Sequence, residues 1–129
     1  MTPTKVLLVE ERTIRPVTIS DWSEVRSILG GSIESIYISV SDKDTEEFGA
    51  IVFKEFYERE ELANPKVNHC ITRWLRDNYK DSIGMLLGTA IVIGMKPLSK
   101  EGEGNAIECD VPDLIVRSFT DRIAERMRV

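Results

Sequence analysis

MLLGTAIVIG, residues Met85 to Gly94, is the one long, uncharged, β-branched run in the sequence. Ile91, Val92 and Ile93 follow one another, with the small residues Gly88, Thr89 and Ala90 before them. A strand apolar on both faces reads this way when it lies in the middle of a covered sheet. The run therefore predicts a central strand. Upstream of it, Asn64-Pro65 predicts a helix start, with asparagine as the cap and proline in the first turn, where no backbone N–H is needed. Val67, Cys70, Ile71, Trp74 and Leu75 then trace an apolar stripe at i, i+3, i+4, i+7 and i+8, and Trp74 is the aromatic anchor against the sheet. This helix frays near Asn78 to Asp81. Downstream, Met95 to Glu108 reads as a loop with KEGEGN at its tip. Asp110 and Pro112 start a last helix, with Leu114, Ile115, Phe119, Ile123 and Met127 on its apolar side and Arg117, Arg122, Arg126 and Arg128 on its wet side.

Further out, Lys5 to Val9 and Ile14 to Ile19 read as a hairpin around the polar Glu10 to Thr13. Pro16 cannot donate to a ladder, which puts the second of these strands toward an edge. Asp21 followed by Glu24 has the form of a capping box, Trp22, Val25, Ile28 and Leu29 share a helical face, and Gly30 suits the left-handed position that ends such a helix. Ile33 to Val40 alternates as a half-buried strand, Ser41 to Glu47 is a polar loop, and Phe48 to Glu55 returns antiparallel, so that the pair forms the centre of a meander. The expected fold is α+β, a single domain over residues 1–129 with a mainly antiparallel sheet of about five strands. Helices starting near Asp21, Pro65 and Pro112 pack on it.

A chain of 129 residues with 42% hydrophobic content can bury a core without staples. Cys70 and Cys109 have no metal-ligand spacing and read as thiols in a reducing compartment. The apolar run Val6 to Val9 is too short for a signal peptide core or a membrane span, so the expected location is the cytoplasm. Eight acids stand against three bases between Asp42 and Glu61, so that segment holds the whole net charge of -5. Nucleic-acid binding is not expected, since counterion release from phosphates needs a basic face. An acidic surface instead draws a basic partner.

The chemical motifs are sparse. His69 and Cys70 are adjacent on a helix and point about 100° apart, so they form no local dyad. One histidine and two cysteines fall short of a zinc site. Asp42, Asp44 and Glu46 open like a calcium loop, but the sixth-position glycine is missing and Phe53 stands where the closing glutamate belongs. Gly102 and Gly104 lack the third glycine and the strand-to-helix setting of a phosphate cradle. No catalytic residue, metal or cofactor is expected. Two surfaces remain. Asp42, Asp44, Glu46, Glu47, Glu58, Glu60 and Glu61 form a candidate partner-binding acidic patch. His69, Arg73, Arg76 and Lys80 align at i, i+4, i+7 and i+11 as a candidate site for an anion.

The order of pieces, a KVLLVE strand, a helix ending in LGG, SIESIYI, an Asn-Pro start, GTAIVIG and a DVPD-started helix, resembles the family known as domain of unknown function 3846. The resemblance rests on Gly30, Gly31, Glu34, Asn64, Pro65, Gly88, Thr89 and Gly94 and runs from Lys5 to about Gly94. Those residues are turns, caps and a small-residue strand. The resemblance implies an accessory protein of phages, plasmids and related mobile elements, with a counter-defence or host-takeover role and no assigned catalytic residues. The first expectation is thus a non-enzymatic protein that binds a host protein. The alternative is a small-ligand binding protein that sequesters an anionic, nucleotide-like metabolite. A homodimer through an exposed sheet edge is left open.

Overall fold

Six strands and four helices make an α+β fold among the residues that the computed structural model describes, 2–79, 85–97 and 106–127, of which 122–127 are described by backbone alone. The strands are β1 (Thr4–Val9), β2 (Ile14–Ile19), β3 (Ile33–Asp42), β4 (Thr45–Lys54), β5 (Ala90–Pro97) and β6 (Ala106–Cys109); the helices are α1 (Trp22–Leu29), α2 (Arg59–Ala63), α3 (His69–Asn78) and α4 (Asp113–Met127). The sheet runs β2-β1-β5-β4-β3, and β6 pairs with the C-terminal half of β5. Every pairing is antiparallel.

The apolar run builds the centre, as its composition predicts. Ala90, Ile91, Val92 and Ile93 are all buried, because β5 is covered on both faces. Alternate residues of β1 and β5 divide between two cores. Val6, Leu8, Ile91 and Ile93 pack with Val25 and Leu29 of α1, whereas Leu7, Val9, Ala90 and Val92 pack with Ile71, Trp74, Ile115 and Phe119 of α3 and α4. The sheet is thus the middle of three layers. Gly49 and Gly94 face each other across β4 and β5. A Cβ on Gly49 would lie 2.8 Å from the Ile93 carbonyl oxygen and 2.9 Å from Ile115 Cδ1, and one on Gly94 would meet the Asp110 carbonyl oxygen. Bare backbone there lets α4 and the chain after β6 lie close on the sheet.

Local chemistry sets the helix ends. Asp21 caps α1 by accepting the Glu24 N–H at 2.9 Å, the Glu24 carboxylate accepts the Ser20 N–H, and Gly30 ends the helix at φ 89°. Hydrogen bonds from Ser23 and from the Glu24 backbone hold the Asp21 carboxyl below its ordinary range.

Several boundaries depart from the expectation. Asn64-Pro65 does not open the third helix. Val67 is held in an antiparallel bridge with Leu87, so the chain stays extended until Asn68, whose Oδ1 accepts the Ile71 N–H at 3.1 Å and caps α3. Asn64 instead closes the short helix α2, which periodicity did not reveal, by donating its N–H to the Glu60 carbonyl at 3.2 Å. Of Met85 to Thr89, only Leu87 pairs, through that bridge; Gly88 turns at φ 75°, and the strand proper runs from Ala90 to Pro97. β6 takes residues assigned to the Met95–Glu108 loop, and the KEGEGN tip lies outside the described residues. The loop expected at Ser41 to Glu47 shrinks to a turn at Lys43-Asp44, because β3 and β4 pair one-to-one over ten positions. They are not the centre of a meander: β5 inserts between β1 and β4, leaving β3 at one edge and β2 at the other. The side chains of Ile123, Met127, Arg122, Arg126 and Arg128 lie outside the described set. No described helix is long and apolar enough to cross a membrane.

Candidate functional site

β4 divides the acidic segment in two. Asp42, Asp44, Glu46 and Glu47 gather at the tip of the β3–β4 hairpin, where Asp42 pairs with Thr45, Ser41 with Glu46 and Val40 with Glu47. Glu58, Glu60 and Glu61 lie beyond the far end of β4. A ten-residue strand is roughly 30 Å long, so the seven acids do not form one patch. The two groups also do different things. Among the described residues, the four hairpin acids make no ion pair, with Lys43 as the single base between them. Glu61 is committed to the fold: it holds Lys54 Nζ at 2.6 Å and accepts the Glu58 N–H at 3.0 Å across the first turn of α2. The hydrogen bond from Lys54, and then that from Glu58, keeps the Glu61 carboxyl below its ordinary range.

The cationic stripe is brought together in part. His69, Arg73 and Arg76 line one shallow depression of about 350 Å³ with Thr72 and Asp77. Asp77 approaches Arg73 Nε at 3.9 Å, so a carboxylate stands inside the stripe. Lys80 lies outside the described residues.

A third feature was not foreseen. Two openings of about 380 and 370 Å³ share Lys66 and Gly88 and form a groove from α2 to the β1–β2 turn. Tyr57, Glu60 and Leu87 line one end, and Glu10, Glu11 and Arg12 the other. Its floor is fixed by the wholly buried Asn68, whose side-chain amide donates to the carbonyls of Val9 and Gly88, both at 2.9 Å. Tyr57 Oη donates to the Leu87 carbonyl at 2.7 Å. Gly88, which turns at φ 75° with open space where a Cβ would stand, reads in the sequence only as a small residue of the central strand.

Cys70 is buried and its Sγ lies 3.7 Å from the Glu11 carbonyl as donor. Burial, then the charges of Asp110 and Glu47, push the Cys109 thiol above its ordinary range, which keeps it protonated near neutral pH.

No family model, curated protein or solved structure matches this chain.

Proposed function

We propose that the chain is a non-enzymatic binding protein that grips a basic surface of a host protein with its β3–β4 hairpin tip. The reading follows the mobile-element role implied by the resemblance to domain of unknown function 3846, and it places the protein in the host cytoplasm. The observation that carries it is the convergence of Asp42, Asp44, Glu46 and Glu47 on one tip, without ion pairs among the described residues. Exposed charges of one sign raise the encounter rate with the opposite sign and suppress wrong partners. Glu58 and Glu61 leave the partner surface, because they cap and brace α2.

The test is affinity capture from a bacterial lysate with the tagged chain and two charge-reversed variants. Converting Asp42, Asp44, Glu46 and Glu47 to lysine should lower retention of a near-stoichiometric host protein by about tenfold or more. Converting Glu60 alone should leave retention unchanged. Equal retention by the hairpin variant, or no retained protein, removes the reading.

A second reading, sequestration of an anionic, nucleotide-like metabolite, is favoured by the shared depression of His69, Arg73 and Arg76. It expects ATP at millimolar concentration to raise the melting temperature of the protein, and the Arg73→Ala/Arg76→Ala double variant to lose that rise. A full rise in the double variant ends it.

A further inference from the structure

We propose that the open edge of β3 receives an extended, basic segment of the partner as an added strand. This rests on the hairpin reading and gives it a mode of binding. β3 ends the sheet, and its pairing partner is β4. An unpaired edge presents a row of free N–H and C=O groups, and natural edges are usually blunted by lysine, proline, a bulge or a covering element. The two edges of this sheet differ in that respect. β2 carries Arg15 and Pro16, whereas β3 has neither lysine nor proline between Ile33 and Asp42 and pairs with β4 without a bulge.

Among the described residues the edge is also uncovered. Glu34, Ser35, Ile36 and Tyr37 are four consecutive exposed residues, with Ile36 at 36% and Tyr37 at 69%. Neighbouring residues of a strand face opposite sides, so both faces of β3 are bare here. One hydrogen bond fixes which backbone groups point outward. The Ser39 N–H donates to the Tyr79 hydroxyl oxygen at 3.1 Å, away from β4. Outward groups recur at every second residue of an antiparallel strand, so Ser35 and Tyr37 also present theirs. Tyr79 stops the row at Ser39, and among the described residues the run before it is open.

Charge selects the occupant. From Ile33 to Glu47 there are five acids, Glu34, Asp42, Asp44, Glu46 and Glu47, against Lys43 alone. A second copy pairing antiparallel would set each hairpin tip beside the other copy's Glu34, and pairing parallel would set tip on tip. Both put like charges together, which disfavours pairing. A segment of opposite charge gains from the same arrangement. Its apolar side chains would lie beside Ile36 on one face and Tyr37 on the other, with lysines or arginines along the hairpin.

The probe is a synthetic nine-residue peptide of alternating valine and threonine flanked by lysines, with a glutamate-flanked counterpart as control, added to the full chain. Amide hydrogen exchange should slow at least tenfold at Ser35 and Tyr37 with the lysine peptide and not with the control. Tyr37→Pro removes an outward N–H that the β4 ladder does not use and should lower peptide affinity at least tenfold; Ser35→Pro serves if that variant fails to fold. Peptide binding with no slowing at Ser35 and Tyr37, or no peptide binding, overturns the proposal. So does a concentration-dependent dimer in sedimentation that Tyr37→Pro dissolves, since the occupant is then a second copy. The two readings fail separately in the lysate capture. Normal capture by Tyr37→Pro with loss in the hairpin variant overturns strand addition alone, and the converse overturns the hairpin reading alone.

Discussion

Trp74→Ala is expected to cost about 4 kcal/mol, out of a total stability of about 5–15 kcal/mol for a domain of this size. Trp74 is fully buried and joins three elements. Its ring stacks on Phe119 of α4 at 4.6 Å and 13°, it tilts against Tyr79 at 5.9 Å, and its Nε1–H donates to Ser118 Oγ at 2.7 Å. Truncation removes the largest side chain of the core on that face and leaves a cavity between α3, α4 and the sheet, which relaxes only in part. The melting temperature should fall by about 15 °C, followed by far-ultraviolet circular dichroism so that the loss of a fluorophore does not confuse the reading. Trp74→Phe separates stacking from hydrogen bonding. It keeps an aromatic ring against Phe119 and loses the bond to Ser118, so it should cost about 1–2 kcal/mol. A Trp74→Ala cost below about 1.5 kcal/mol would mean that α3 and α4 are not held through this residue.

What was legible in the sequence was what depends on neighbours along the chain. The strand at Ile33 to Val40, the double-faced apolarity of Ala90 to Ile93, the Asp21 cap and the Gly30 stop all appear where expected, because each is decided within a few residues; the half-buried alternation expected of that strand does not, since Glu34 to Tyr37 are all exposed at the sheet edge. The inner face of α3 was legible for the same reason. Its start was not. Asn64-Pro65 and Asn68 are both acceptable caps in isolation, and the choice between them was made by Leu87, whose bridge holds Val67 extended. β6 is four residues long and includes Glu108, too little pattern to separate from a loop until β5 is there to pair with it.

The candidate surface was half legible. Proximity in sequence suggested one acidic patch, but a strand carries its ends apart, and so Glu58, Glu60 and Glu61 were separated from the hairpin tip. That β3 lies at an open edge depends on β5 inserting between β1 and β4. Such an insertion is a long-range event that no local pattern encodes. The strand's missing guards were visible all along, but they acquire meaning only at an edge.

Asn68→Ala is expected to cost about 3 kcal/mol, although the residue carries no apolar surface of consequence. The side chain caps α3 through Oδ1 and, through its amide, satisfies the Val9 and Gly88 carbonyls, while its own N–H donates to the Leu86 carbonyl at 2.8 Å. Alanine keeps only the last of these and leaves two inward-facing carbonyls and one helix N–H to find other partners. The Asn68→Asp variant isolates the amide. It preserves shape and cap acceptor, but sets a buried carboxylate against two carbonyl oxygens, so its folded-state pKa must rise above the ordinary value of about 4. A raised acid pKa makes the deficit smallest below pH 4 and larger as pH rises through the folded-state value. The Asn68→Asp chain should therefore lose stability relative to wild type between about pH 4 and pH 7, as measured by denaturant midpoints across that range. A flat difference across the range would mean that the amide does not face those carbonyls, and the fixed floor of the Lys66–Gly88 groove would go with it.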